Sequence, residues 1–168
     1  MKNNLLQKIL ISLIVIGIIV VGIITAKAIM VKNVNSKKEI TAEEFKEKMS
    51  DKGYYISSII GEQSPKYLKS AYTAISKDQV YDIKFYEAQT DEDALKNVFL
   101  KEKEAIEKEP NKKVEKDIKI KQYNYFKAET NNKIYIIIKN GKTVIITKID
   151  KSKEKEVNQI LKEFNYIL

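Results

Sequence analysis

The architecture of this chain follows from one hairpin, Ile134-Tyr-Ile-Ile-Ile-Lys139, Asn140-Gly141, and Thr143-Val-Ile-Ile-Thr-Lys-Ile149. Both arms are rich in β-branched residues, which favour strands. Asn140-Gly141 supplies the two positive φ angles that a type I′ hairpin turn requires. Ile136–Ile138 and Val144–Ile146 are apolar at consecutive positions, so we expect both faces of the hairpin to be covered. The hairpin is therefore predicted to lie at the centre of an antiparallel sheet.

Two helices are predicted before this hairpin. The first begins at Thr41, which forms a capping-box pattern with Glu44, and it ends at Gly53, a residue suited to the left-handed position after a helix. The second begins at Thr90, is amphipathic, and is closed by Pro110. Both sets of start and stop signals predict well-bounded helices.

A third helix is predicted after the hairpin. Either Asp150 or Ser152 serves as its N-cap, and we expect the final residues, 165–168, to pack on the domain as a short extended tail. The apolar residues of this third helix follow helical spacing and are Val157, Ile160, Leu161 and Phe164.

Further strands are predicted from runs of aromatic and β-branched residues at Tyr54–Ile60, Leu68–Ser76, Val80–Ala88 and Asp117–Glu129. In the last run the apolar phase shifts near Tyr125, which we interpret as a bulge or bend. Together with the hairpin, these runs give about six strands. The fold class expected for residues 40–168 is α+β, with three helices packed on an antiparallel sheet.

The N-terminal run has a different composition. Thirteen of the seventeen residues from Ile9 to Thr25 are Ile, Leu or Val, and none is charged. Each contributes roughly −0.3 to −0.6 kcal/mol to insertion, which predicts a transmembrane helix over residues 9–29, between a tail at 1–8 and a linker at 30–39. Its length favours an uncleaved signal anchor, and cleavage after Ala28 is the alternative.

The sequence favours an extracytoplasmic position for residues 40–168. Lysines lie on both sides of the apolar run, so their count does not fix the orientation, but long domains translocate largely regardless of charge. We expect a single-pass protein of the cell membrane, with the lipid bilayer as a partner. The lysines closest to the membrane suit anionic lipid or an anionic cell-wall polymer; they are Lys27, Lys32, Lys37 and Lys38.

Composition excludes several kinds of chemistry. The chain has 31 lysines and no arginine, histidine, cysteine or tryptophan. Without cysteine and histidine it cannot build a zinc site of the usual ligands, a histidine-based triad or a thiol nucleophile. We predict neither a metal nor a cofactor. Nucleic acid is not an expected partner, because bidentate recognition of bases and phosphates depends largely on arginine.

A serine and lysine pair is the one nucleophilic arrangement that this composition allows. None of the candidate residues lies in a recognisable catalytic motif, so we expect a protein that is not an enzyme and retain a Ser/Lys hydrolase as the weaker alternative. The candidates are Ser57, Ser58, Ser64, Ser70 and Ser76, with Lys66, Lys69 and Lys77 nearby.

Tyrosine is the enriched residue with binding potential, since ten occur. If helices cover one face of the sheet, Tyr72, Tyr86 and Tyr123 are expected to line the other face as a recognition surface. The competing interpretation is that tyrosine is simply a good strand residue with a solvated hydroxyl group.

The chain resembles small, single-span, membrane-anchored proteins of unknown function from low-GC Gram-positive bacteria. The resemblance covers most of residues 40–168 and implies no catalytic residue. It rests on Thr41-Ala-Glu-Glu-Phe45 running to Gly53-Tyr54, on Tyr81-Asp-Ile-Lys-Phe85, and on Asn140-Gly-Lys-Thr-Val144 followed by Ile160-Leu-Lys-Glu-Phe-Asn-Tyr166.

Taken together, these observations predict a non-enzymatic, membrane-tethered envelope protein. Its α+β domain is expected to bind a protein or an envelope ligand through the face of its sheet. The alternative is a domain whose basic stem binds anionic lipid or polymer.

Overall fold

The computed structural model describes residues 11–12, 15–16, 18–22, 25, 31–32, 34, 37–61 and 63–167. The chain divides into two compact units, Met1–Ser36 and Lys37–Leu168. In the first unit every described residue is helical. The second unit contains the sheet.

The expected transmembrane helix at 9–29 is not supported. Among the described residues, no helix has the length and apolar character needed to cross a membrane. Many residues of the predicted span lie outside the described residues, and those that are described are helical. The predicted fold class is therefore wrong in its membrane-spanning element.

The second unit consists of helices packed on an antiparallel sheet. Its helices are α1 (Ala42–Asp51), α2 (Asp91–Asp93), a π-helical turn (Ala94–Phe99), α3 (Leu100–Glu107), a 3-10 turn (Lys151–Lys153) and α4 (Glu154–Glu163). Its strands are β1 (Tyr55–Ser58), β2 (Leu68–Ile75), β3 (Asp82–Ala88), β4 (Lys113–Ile120), β5 (Tyr123–Glu129), β6 (Lys133–Asn140) and β7 (Thr143–Asp150). The strand order is β1-β2-β3-β7-β6-β5-β4.

The described residues from 37 to 167 therefore contain seven strands and four α-helices, where about six strands and three helices were expected. The additional strand is β4, which pairs with β5 through a tight turn at Lys121-Gln122. Five of the eight residues of β4 are charged, and this edge strand is mostly exposed, so it lacks the apolar pattern of a buried strand. The phase shift near Tyr125 is not a bulge in the pairing with β6, which keeps a regular register; β5 is buried on both faces, with Tyr125 on one and Phe126 on the other.

The central hairpin is confirmed, but its turn lies one residue later than expected. Asn140 pairs with Thr143, so the two loop residues are Gly141 and Lys142. Only Gly141 has a positive φ, of 55°. Glycine at the first loop position is the pattern of a type II′ turn rather than type I′. Asn140 stays in the ladder because it also pairs with Tyr123 of β5.

The signals of the first helix are confirmed in detail. The Thr41 side chain accepts a hydrogen bond from the Glu44 amide, and the Glu44 carboxylate accepts one from the Thr41 amide, at 3.1 and 2.8 Å. At the other end Gly53 has a φ of 77°. The amide of Tyr54 donates to the Met49 carbonyl at 3.0 Å, which closes a Schellman motif.

Helices cover parts of both faces of the sheet. On the first face lie α1 and α4: the Phe45 ring stacks on Phe85 at 4.9 Å and meets Phe164 at 5.8 Å. On the second face the helical segment from α2 to α3 buries an apolar cluster, which includes Val98, Phe99, Ile106, Phe126, Ile137, Val144 and Ile146. Since β6 and β7 lie between the two layers, their apolar residues are almost fully buried.

Candidate functional site

The second face is left open at its β1 end. Tyr55 lies opposite Ile75, and Ser57 opposite Thr73, so these residues share a face. Tyr72 lies opposite Phe85, and Phe45 of α1 stacks on the Phe85 ring. The face that α1 covers is therefore the other face of the sheet. The apolar residues on the open area are Tyr55, Ile59, Ile75 and Val80, which we name the outer patch.

The side chains of the outer patch are unusually accessible for apolar residues at a sheet. Tyr55 is 60 % exposed, Val80 50 % and Ile59 42 %. Ile59 and Val80 border a shallow groove of about 370 Å³ together with Ile75, the residue that pairs with Tyr55. Contiguous apolar surface with a polar rim is typical of a site that contacts another macromolecule.

Both signs of charge lie at the rim of the outer patch. Asp82 accepts a hydrogen bond from the Thr73 hydroxyl at 3.1 Å and lies 3.8 Å from the Lys84 amine. Asp82 and Lys84 also border a second groove of about 200 Å³, which runs beneath the end of α3 beside Ile106 and Ile146. The outer patch therefore continues toward the helical layer instead of ending at β3.

A compact turn between β2 and β3 positions Val80. The Ser76 hydroxyl donates to the Asp78 carboxylate at 2.7 Å and accepts from the amides of Val80 and Tyr81 at 3.2 Å. Hydrogen bonds from Ser76 and Lys153 hold the pKa of Asp78 at about 2, well below its ordinary value. These contacts fix the turn and leave the Val80 side chain on the surface.

The structure does not bring the three predicted tyrosines onto one surface. Tyr72 lies on the first face, where the Lys46 amine sits 4.9 Å from its ring centre. Tyr86 lies on the second face, packed against the helical layer, and burial raises its pKa to about 12. Tyr123 is on the first face and buried, and its hydroxyl donates to the Tyr166 carbonyl at 2.8 Å. Helices pack on both faces, so neither face is open along its whole length, and the outer patch is one area that they leave exposed.

The four predicted membrane-proximal lysines also differ in their surroundings. Lys27 lies outside the described residues, and Lys32 and Lys38 are exposed. Lys37 is buried, and its amine donates to the carbonyls of Asn165 and Ile167 at 2.8 and 3.1 Å. Its amine is therefore directed at the protein's own tail and not at a membrane or polymer.

The candidate serines have structural partners. Ser70 donates to Glu87 at 3.1 Å and Ser76 to Asp78 at 2.7 Å. Ser64 accepts from the Gly61 amide at 2.8 Å, while Ser57 and Ser58 donate to nearby backbone carbonyls at 3.4 Å. Within the described residues, no group of three acidic side chains is placed to hold a metal ion. The geometry supplies no observation that favours the hydrolase alternative.

Sequence reasoning missed the outer patch, although its signal was present. Tyr55, Ser57 and Ile59 alternate within the predicted first strand, so they share one face by strand periodicity. What the sequence did not reveal is that the helical layer on this face stops short of β1.

The comparisons with known proteins found no relative of this chain. No family model, no curated protein and no solved structure matches the chain. Inferences about function therefore rest on the residues of the site itself.

Proposed function

We propose that the domain is a non-enzymatic binding module that docks a protein partner on the outer patch. The observation that supports this proposal is that the exposed Ile59 and Val80 line one groove with Ile75, and that the exposed Tyr55 pairs with Ile75. An aromatic and two β-branched side chains provide contact area at a low cost in conformational entropy.

A protein partner fits this surface better than a small molecule. The groove is shallow and lined by apolar groups, whereas small-molecule sites are concave and enclose their ligand. Fully burying an apolar side chain contributes about 1.5–3 kcal/mol. Tyr55, Ile59 and Val80 are about half exposed, so a partner that covers them can gain roughly half of that free energy at each residue. Asp82 and Lys84 supply a polar rim that can fix the orientation of the partner.

The binding of anionic lipid or polymer by a basic stem stays a prediction with less support. Lys37, one of its four residues, is already engaged by backbone carbonyls. Strong weakening of binding by salt would favour that alternative, since exposed ion pairs are screened over about 8–10 Å at physiological ionic strength.

Site-specific crosslinking in cells tests the proposal. A photo-crosslinking residue is placed at Ile59 in the outer patch. The matched control places it at Val114, which is 45 % exposed on the opposite edge of the sheet. We expect a discrete protein adduct from position 59 and none of the same mass from position 114.

A second variant shows whether the adduct depends on the patch. Tyr55→Lys and Val80→Asp in the same chain remove apolar contact area from exposed positions, so folding should be retained while the adduct falls at least tenfold. Equal adducts from positions 59 and 114, or an adduct that is unchanged in the double variant, would contradict the proposal. An adduct with a second copy of this chain would identify the partner as itself.

A further inference from the structure

The C-terminal tail occupies a cleft on the first face, on the opposite side of the sheet from the outer patch. The floor of this cleft is a row of polar residues from three adjacent strands: Tyr123 of β5 pairs with Asn140 of β6, which pairs with Thr143 of β7. Residues opposite each other in a sheet point to the same face. Tyr166 lies over this row, and we name the arrangement the tail cleft.

Side chains hold the backbone of the tail. The Lys37 amine donates to the carbonyls of Asn165 and Ile167, and the Tyr123 hydroxyl donates to the carbonyl of Tyr166 between them, at 2.8 Å. Three consecutive carbonyls are therefore held by two donors that lie far away in the sequence. Such contacts recognise the backbone of the tail without depending on its side chains.

The tail cleft also contains a specific pocket for a tyrosine. The Tyr166 side chain is fully buried, and its hydroxyl is hydrogen-bonded to that of Thr143. Burial raises the pKa of this hydroxyl, so it stays neutral at physiological pH. The cleft thus combines general capture of the backbone with recognition of one side chain, the two components of peptide-binding sites.

Two features of the cleft are unfavourable for a purely structural contact. Both polar atoms of the Asn140 amide are buried without a hydrogen-bond partner, and a buried unsatisfied group costs about 1–3 kcal/mol. Lys37 is buried against carbonyls, and burial lowers its pKa. Apolar residues at these positions would hold the tail without this loss of hydration free energy. Residues that do not maximise the stability of the fold are expected at functional sites.

The tail is joined to α4 by the cap of that helix. α4 ends at Glu163, Asn165 has a left-handed φ of 59°, and the Tyr166 amide donates to the Leu161 carbonyl at 2.8 Å, which closes a Schellman motif. Displacing the tail therefore breaks this cap while the hydrogen bonds in the interior of α4 can remain. Ordering a residue costs about 1–2 kcal/mol of backbone entropy, which opposes the contacts that hold the tail.

We propose that the tail cleft is a recognition site for a tyrosine-containing peptide, and that the protein's own tail is its resident occupant. A peptide supplied in trans competes with the tail for Lys37, Tyr123 and the tyrosine pocket. A ligand whose side chain forms a hydrogen bond with the Asn140 amide would bind more tightly than the tail, which leaves that amide without a partner. This site lies on the other face from the outer patch and does not depend on the function proposed there.

Peptide binding to the full-length chain tests this assignment. The probe is a fluorescent peptide with the sequence Asn-Tyr-Ile-Leu, titrated against the wild type and against Tyr166→Ala, which empties the pocket. We expect binding to Tyr166→Ala at least tenfold tighter than to the wild type, because the resident tyrosine no longer competes. The control peptide Asn-Ala-Ile-Leu should bind neither. Equal affinity for both proteins, or no binding to a folded Tyr166→Ala at millimolar peptide, would overturn the proposal.

A second measurement does not depend on the folding of Tyr166→Ala. The chain contains no cysteine, so Leu168→Cys accepts a single fluorophore at the end of the otherwise intact tail. Saturating unlabelled Asn-Tyr-Ile-Leu should lower the anisotropy of this fluorophore as the tail is displaced, and Asn-Ala-Ile-Leu should not. Unchanged anisotropy at saturating peptide would show that the tail is fixed and that the cleft is not a site for ligands in trans.

Discussion

Gly141 is held in a conformation and a space that other residues do not tolerate. Its φ is 55°, and a Cβ atom built on it would overlap the Glu39 carboxylate, which accepts a hydrogen bond from the Lys142 amide at 3.0 Å. We expect Gly141→Val to lower the free energy of unfolding by about 1–3 kcal/mol, through strain and displacement of Glu39. Chemical denaturation of the two proteins measures this difference.

Gly61→Ala is the control for this substitution. Nothing lies within 4 Å of a Cβ built on Gly61. We therefore expect a change within about 0.5 kcal/mol, as is usual for surface positions without special geometry. Equal stabilities of Gly141→Val and the wild type would show that the assigned hairpin turn is wrong.

At the scale of the elements, the start of α1 depends on the capping box. Thr41 and Glu44 satisfy two backbone amides that have no partner within the helix. Thr41→Ala is expected to lower the free energy of unfolding by about 1 kcal/mol, within the 0.5–2 kcal/mol measured for such caps. Urea denaturation measures the loss, with Glu47→Ala, an exposed position on the same helix, as the control. A loss as large in the control would show that the effect is not specific to the cap, since alanine has the highest helix propensity.

The elements that were predicted correctly have local causes. Thr41, Thr90 and Gly53 occupy their expected cap positions because capping involves residues only three or four apart. By contrast, β4 was largely missed because an exposed, charged edge strand has no apolar pattern, and its turn at Lys121 contains no glycine. The π-helical turn at Ala94–Phe99 was also missed, since the apolar stripe of that helix fits ordinary α-helical spacing.

The candidate sites depend on contacts that sequence periodicity does not report. Alternation places Tyr55 and Ile59 on one face, but which strands the helices leave open is a property of the tertiary packing. Lys37 was assigned to a basic stem because it lies close in sequence to the predicted membrane span. It is instead buried against residues 128 and 130 positions later, a separation that no local pattern reveals.

At the scale of the whole molecule, one polar network joins the turn between β2 and β3 to the start of α4. The Lys153 amine donates to Asp78 at 2.9 Å, and the Tyr81 hydroxyl donates to Glu156 at 2.8 Å. Tyr54 is hydrogen-bonded to Tyr81, and burial raises the pKa of both hydroxyls. The network therefore ties the β1 half of the sheet to the C-terminal helix.

This network predicts a dependence of stability on pH. The folded protein lowers the pKa of Asp78 to about 2, from about 3.9 in an unfolded chain. The ionised carboxylate thus stabilises the fold above about pH 4, and this contribution is lost as the pH falls through about 2. We expect the melting temperature of Asp78→Asn to fall less steeply than that of the wild type between pH 4 and pH 2.

Thermal unfolding followed by circular dichroism at several pH values measures this slope. Asp51→Asn, which removes a carboxylate from an exposed position outside the network, is the charge-matched control. Parallel slopes for Asp78→Asn and the wild type would show that Asp78 does not contribute through its ionisation.

The two edges of the sheet have a consequence for how copies of this protein assemble. Five of the eight β4 residues are charged, three of them lysines, and such charges disfavour the addition of another strand because they must remain solvated, whereas the short β1 edge carries no charge. A sheet that accepts a neighbour on one edge only cannot propagate. Edge pairing between molecules would therefore end in a closed pair, and the charged edge protects the protein against growth into filaments.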